Sequence, residues 1–185
     1  MFTIFIPEIT TTVTVETNTN SLDEGINLIN GSDVLSSCFG DIIEHLQAKK
    51  EELESLKDPL ALAVSENLSS HQSQIISMKH KKTGMMMNSV DISHDGDGVY
   101  LVGNTASSVD GFPYPLAIEQ GTKAHWIQPI TFHSLHWVEG GQDRFSKGHM
   151  VSGIEADPYV EDSINMTESS VEGIVNEYIN QLLGD

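Results

Sequence analysis

The sequence predicts an α+β fold: a small antiparallel β-sheet packed against a long helix and a C-terminal helix, with an N-terminal β-arm. Three observations predict it. Thr12 to Glu16 alternate apolar and polar residues, with Val13 and Val15 on one face. Helical apolar stripes flank Asp58-Pro59, and another runs to Leu183. Between them, Asp95 to Gly98 forms a turn signal joining two short alternating runs.

Phe2 to Thr19, rich in Thr, Val and Ile, reads as one long strand or a hairpin arm. Pro7 marks a bend, an edge, or an arm that pairs with a neighbour. Asn18 to Ser21 is a turn, and Leu22 to Gly31 is a short helix or a loop. Residues 1–35 form the N-terminal β-arm and linker, and residues 36–185 the α+β domain. The first strong helix starts at Ser36 or Ser37 and ends near Leu56, with Ile42, Leu46, Leu53 and Leu56 on one buried face. Cys38 is expected as a small core residue near its start. Asp58-Pro59 breaks or restarts the helix, giving two helices or one kinked rod. The second half runs to Met78 on a stripe of Leu60 or Ala61, Val64, Leu68, Ile75 and Met78, with His71 in line.

Lys79, His80, Lys81 and Lys82 suit the negative end of that helix's dipole. Docking of an acidic neighbouring copy is the alternative use of this cluster. Val90 to Ser93 and Val99 to Val102 form a hairpin. Its Asp-Gly-Asp-Gly turn lacks the ligand spread and terminal Glu of a calcium loop. Asn104 to Pro115 is a loop, and Leu116 to Gln120 one helical turn ending at Gly121. Trp126 to Pro129 is extended, Thr131 to Val138 a strand, Glu139 to Gly148 a polar turn region, and His149 to Val151 a further strand. Pro158 leads a new helical element. The last helix, Thr167 to Leu183, carries Val171, Ile174, Val175, Tyr178, Leu182 and Leu183 on one side.

The 185 residues suffice for one substantial core. A formal net charge of -18, from 27 acidic against 9 basic residues, argues against binding DNA phosphates or anionic membranes. A channel lining past which DNA slides is compatible with it, as is plain solubility. A single cysteine excludes an intrachain disulfide framework. Neither a signal peptide nor a membrane-length apolar run is read. The glycosylation-type triplets at Asn30, Asn67 and Asn165 are read as chance occurrences.

Chemical motifs are sparse. His133 and His136, three apart in a predicted strand, fall on opposite faces, which is poor for shared ligation. His125 and His149 meet them, with Glu119 or Glu139, only if the fold gathers them. There is no nucleophile elbow and no glycine-rich phosphate loop. The expectation is therefore no enzyme, no cofactor and no metal, with a small metal-dependent hydrolase or a binding module as the remote alternative. Trp126 and Trp137 either pack in the core or fill a pocket on a neighbouring subunit.

Four motifs occur in sequence. Thr83, Gly84, Ser89 and Val90 lead into the hairpin, and Tyr114, Ile118, Glu119, Gly121 and Thr122 follow it. His125, Ile127 and Pro129 come next, and Asp157, Pro158 and Tyr159 open the final helix. Over residues 40 to 183 this order resembles the small neck and tail-completion proteins of tailed bacteriophages, typified by the tenth gene product of phage HK97. The chain departs from that pattern at Met85, where a basic residue is usual, and at Gln120, where an aromatic is common. Its acidity and its strand-like N-terminal arm are also unusual for the family.

The resemblance implies a structural virion protein joining the tail tube to the head connector. A tail terminator, head-closure or minor tail protein is the close alternative. It implies a virion location after assembly in the host cytoplasm, and a closed homo-oligomeric ring, six-fold by the resemblance. The implied partners are the head-connector or head-closure protein and the tail-tube protein, with genomic DNA passing through the lumen unbound and no membrane. The expected interface residues are Tyr114, Ile118, Glu119, Gly121, Thr122, Lys123, His125, Trp126 and Pro129. Within that segment Gly121 supplies a sharp turn, Thr122 a hydrogen bond to it, and Glu119 with Lys123 a local ion pair.

Overall fold

Alternation in the N-terminal strand has a direct structural consequence: Thr11 and Val13 both point inward and are buried. A computed structural model describes residues 3–5, 9–30, 40–80, 84–108, 111–130 and 132–183. Strands β1 (Thr3–Phe5) and β2 (Ile9–Thr14) pair antiparallel as a hairpin. Strands β3 (Val90–Gly96) and β4 (Val99–Asn104) form the second hairpin. The sheet order is β1-β2-β4-β3, so the N-terminal hairpin completes the same antiparallel sheet. Thr11 lies opposite Val102, and Val13 opposite Tyr100, which builds one continuous inner face.

The helices cover that face. Helix α1 (Asn20–Asn30) begins at Thr19, whose carbonyl accepts from the amides of Leu22 and Asp23. It resolves the segment left open between helix and loop. Helix α2 (Gly40–Ser55) follows, and Leu56 breaks it before α3 (Lys57–Lys79). The break keeps right-handed helical dihedrals at Leu56, so the pair is a kinked rod. Its restart places Pro59 in the first turn of α3, where a missing amide hydrogen costs little. The short helix α4 (Met85–Asn88) and α5 (Tyr114–Gln120) frame the second hairpin. The last helix, α6 (Tyr159–Leu183), is continuous from the residue after Pro158.

Two apolar clusters join these layers. Val13, Val64, Leu68 and Val102 form one, with Ile92, Ile164, Val171 and Ile174 packed against it. Ile75, Ile76, Met86, Ala106, Tyr159 and Val160 form the other, with Tyr114, Leu116 and Ile118 against it. Burying a side chain such as Leu68 contributes about 1.5–3 kcal/mol.

Asp58 latches α3 to the hairpin. It accepts from the Tyr100 hydroxyl and from His94, both at 3.1 Å, and from the Gly98 amide at 3.4 Å. Burial pushes its carboxyl upward, but these donors together hold it below the usual value. At the other end of α3, Lys79 reaches Asp157 at 2.8 Å and Asp162 at 3.4 Å, and His80 reaches Asp157 at 3.1 Å. These two members of the basic cluster therefore tie α3 to the start of α6; Lys81 and Lys82 lie outside the described residues.

Several expectations are corrected. No described residue of α2 is buried, and Ile42 is exposed, because the helix packs mainly on α1 and α3 and not under the sheet. Met78 is exposed, while Ile76, Gln72 and Ser65 take the inner face of α3. Among the described residues the strand expected over Thr131 to Val138 is shorter: β6 starts at Leu135 and ends at Glu139. Gln142–Ser146, read as turn, is strand β7, paired antiparallel with β6. Helix α6 starts eight residues before Thr167. Cys38 lies outside the described residues.

Candidate assembly surface

The segment from Tyr114 to Pro129 divides at Gly121. Before it, α5 faces inward: Pro115 and Ala117 are buried, and Tyr114, Leu116 and Ile118 pack on the core. The Ile118 carbonyl accepts from the Asp157 amide at 2.8 Å. Glu119 Oε2 accepts from the Val160 amide at 3.0 Å, so the carboxylate sits on the positive end of α6. Burial raises the Glu119 carboxyl above its usual value, against the pull of the Val160 and Glu161 amides. The expected pair with Lys123 is not made among the described residues, because α5 ends before Lys123 and Glu119 turns to α6. Burial, with the Glu119 charge as the lesser cause, raises the Tyr159 hydroxyl well above its usual value.

At the division the chain is clasped to a second segment. Thr122 and Ile154 form an isolated bridge with amide-to-carbonyl distances of 2.8 and 3.2 Å. The Thr122 hydroxyl accepts from the Ile154 amide at 3.0 Å, so it bonds across to the opposite segment rather than within its own turn. Gly121 has φ +69, and a Cβ there would lie 2.7 Å from the Ala156 amide nitrogen. Gly153 has φ +81, and a Cβ there would strike the Thr122 carbonyl oxygen. Both glycines are required by conformation and by space.

Beyond the clasp the character of the molecule changes. Strand β5 (His125–Ile127) pairs with β8 (His149–Val151), and β6 pairs with β7, giving two separate two-stranded ribbons. Among the described residues from Gly121 to Pro158, none is buried. Lys123 is exposed, and His125 donates from Nδ1 to its carbonyl at 2.9 Å. Trp126 and Trp137 are 58% and 38% exposed, so neither is a core residue. Trp126 rests beside Gly148, and Trp137 packs against His149 with ring centres 5.1 Å apart. Pro129 is half-buried at the edge of an open groove of about 870 Å³, lined also by Ile130, Phe132, Leu135, His136 and Phe145.

The nine expected interface residues therefore split. Tyr114, Ile118, Glu119, Gly121 and Thr122 hold the corner together, while Lys123, His125 and Trp126 are presented outward, with Pro129 at the groove. Large exposed apolar groups also lie in the arm outside the motif: Ile130, Phe132 and Phe145, at 100%, 81% and 66% exposure. A sequence signal was present, since the stretch from Lys123 to Val151 holds only two carboxylates, Glu139 and Asp143, in an otherwise acidic chain.

The histidines do not gather. His136 contacts Asp143 at 2.7 Å and stacks on Phe145, whereas His149 faces Trp137. Among the described residues no three His, Cys, Asp or Glu side chains are placed to hold a metal. No helix among them is long and apolar enough to cross a membrane. No family model matches the chain, and neither a curated protein nor a solved structure matches it.

Proposed function

We propose that the chain is a structural virion subunit, a neck or tail-completion component that joins a phage tail tube to the head connector within a homo-oligomeric ring. The observation that carries this reading is the corner at Gly121 and Thr122. It is rigidly clasped on its inner side and continues into a projecting ribbon whose large apolar groups face outward. Such an arrangement suits subunit contact, where exposed apolar groups supply affinity. The motif order along the chain supports the same reading. A strongly acidic exterior suits a particle component past which DNA moves without adhering.

The test is negative-stain imaging of the purified protein, alone and with its tail tube. Closed rings, or end-on occupancy of the tube, are expected. A chain that stays monomeric alone and does not engage the tube contradicts the proposal.

A further inference from the structure

Two features of the surface remain without a counterpart inside the chain. The first is the arm from Lys123 to Val151. A two-stranded ribbon alone is marginally stable in water, and here both ribbons lack buried residues. Ile130, Phe132 and Phe145 line its open groove. The arm also carries Lys123, Arg144 and Lys147, one third of the chain's basic residues, against two carboxylates, Glu139 and Asp143. Arg144 shares Glu139 of its own hairpin at 3.4 Å, whereas Lys123 and Lys147 have no ion-pair partner among the described residues.

The second feature is α6. It carries Glu161, Asp162, Glu168, Glu172 and Glu177 and no Lys or Arg. Glu161, Glu168 and Glu172, seven and four residues apart, lie along one exposed stripe that continues to Ile179. None of these three carboxylates has an ion-pair partner among the described residues. A cationic, apolar arm and an acidic helix with an apolar residue at its end are complementary surfaces. Opposite charge at an interface fixes register and speeds encounter, while apolar groups at its centre supply affinity.

We propose that the arm docks on the Glu161–Glu168–Glu172 stripe of α6 in a second copy of this chain. The proposal rests on the assembly reading above and names the two surfaces that meet. Every copy then offers one arm and one stripe. A head-to-tail succession of such contacts closes a ring when the rotation permits.

Charge reversal tests it by sedimentation mass of the full chain. Lys123→Glu/Lys147→Glu and Glu168→Lys/Glu172→Lys should each weaken self-association about tenfold or more. The four changes combined should restore it. All four positions are exposed, and circular dichroism with a melting curve confirms that each variant folds. If the wild type assembles and the reversals leave its mass unchanged, the arm-to-helix contact is overturned while the ring reading stands. The arm's occupant is then another protein or surface. If both reversals weaken assembly but the combination does not restore it, α6 is the wrong counterpart. If restoration occurs in a particle no larger than a dimer, the contact holds and the ring falls. A wild type that is monomeric at every concentration overturns the arm-to-helix contact, and the ring reading is then decided by occupancy of the tail tube.

Discussion

Leu68 on α3 and Phe145 on β7 are both large apolar side chains on regular elements, yet one is 1% exposed and the other 66%. Leu68 sits where the four-stranded sheet, α3 and α6 converge, so each element covers the others. Phe145 sits on a ribbon two strands wide, with no layer behind it. The contrast separates residues that hold the fold from residues the fold presents. It also explains why the corner motif is half structural: its first part belongs to the body, and its second part leads into the arm.

The largest expected difference is in stability. Leu68→Ala should cost about 2–5 kcal/mol in denaturant unfolding, since the cavity it leaves is walled by several elements. Phe145→Ala should leave the unfolding free energy within about 0.5 kcal/mol. Equal losses at both sites would dissolve the distinction between body and arm.

The clasp between the two regions comes next. Gly153→Val should cost on the order of 1–3 kcal/mol, because a side chain is disfavoured at this φ and its Cβ meets the Thr122 carbonyl. Hydrogen exchange should accelerate first in β5, β8 and the Thr122–Ile154 bridge, and least in β2 and β4.

A subtler expectation concerns pH. The Glu119 carboxyl is raised in the folded state from an ordinary value of 4.5. The folded chain therefore holds that proton more tightly, so stability from this group is lost as pH rises from there through the folded value. Glu119→Gln removes that loss. Its stability relative to the wild type should improve as pH rises through this window, measured by denaturation at a series of pH values.

The smallest effect belongs to the exposed tie between α3 and α6. Lys79→Ala should leave the unfolding free energy close to that of the wild type at neutral pH, as for other solvent-screened pairs. Its bond to Asp157 is the main cause holding that carboxyl below the ordinary 3.8. The difference from the wild type should be complete above that value and vanish as pH falls through the lowered one.

The same contrast governs what could be read from the sequence. Val13, Val64, Leu68 and Val102 were legible because burial of one face imposes a period of two or of three to four residues. Met78 was misplaced because a three-residue step from Ile75 leads off the inner face, which continues instead from Gln72 to Ile76. Strand β7 was read as turn because neither of its faces is buried, and Gln142 to Ser146 therefore carries no alternating apolar signal. The outward role of Phe132 and Phe145 was obscured for the same reason. Glu119 was legible as a residue of interest, but its contact with Val160 spans 41 positions, beyond any local spacing rule.

The proposed contact makes the arm a presented surface that a second copy covers. The most direct measurement is the sedimentation mass of Phe132→Asp/Phe145→Asp beside the wild type. A wild-type oligomer and a folded, monomeric variant with an unchanged melting temperature are expected. An assembled variant of wild-type mass would contradict that contact.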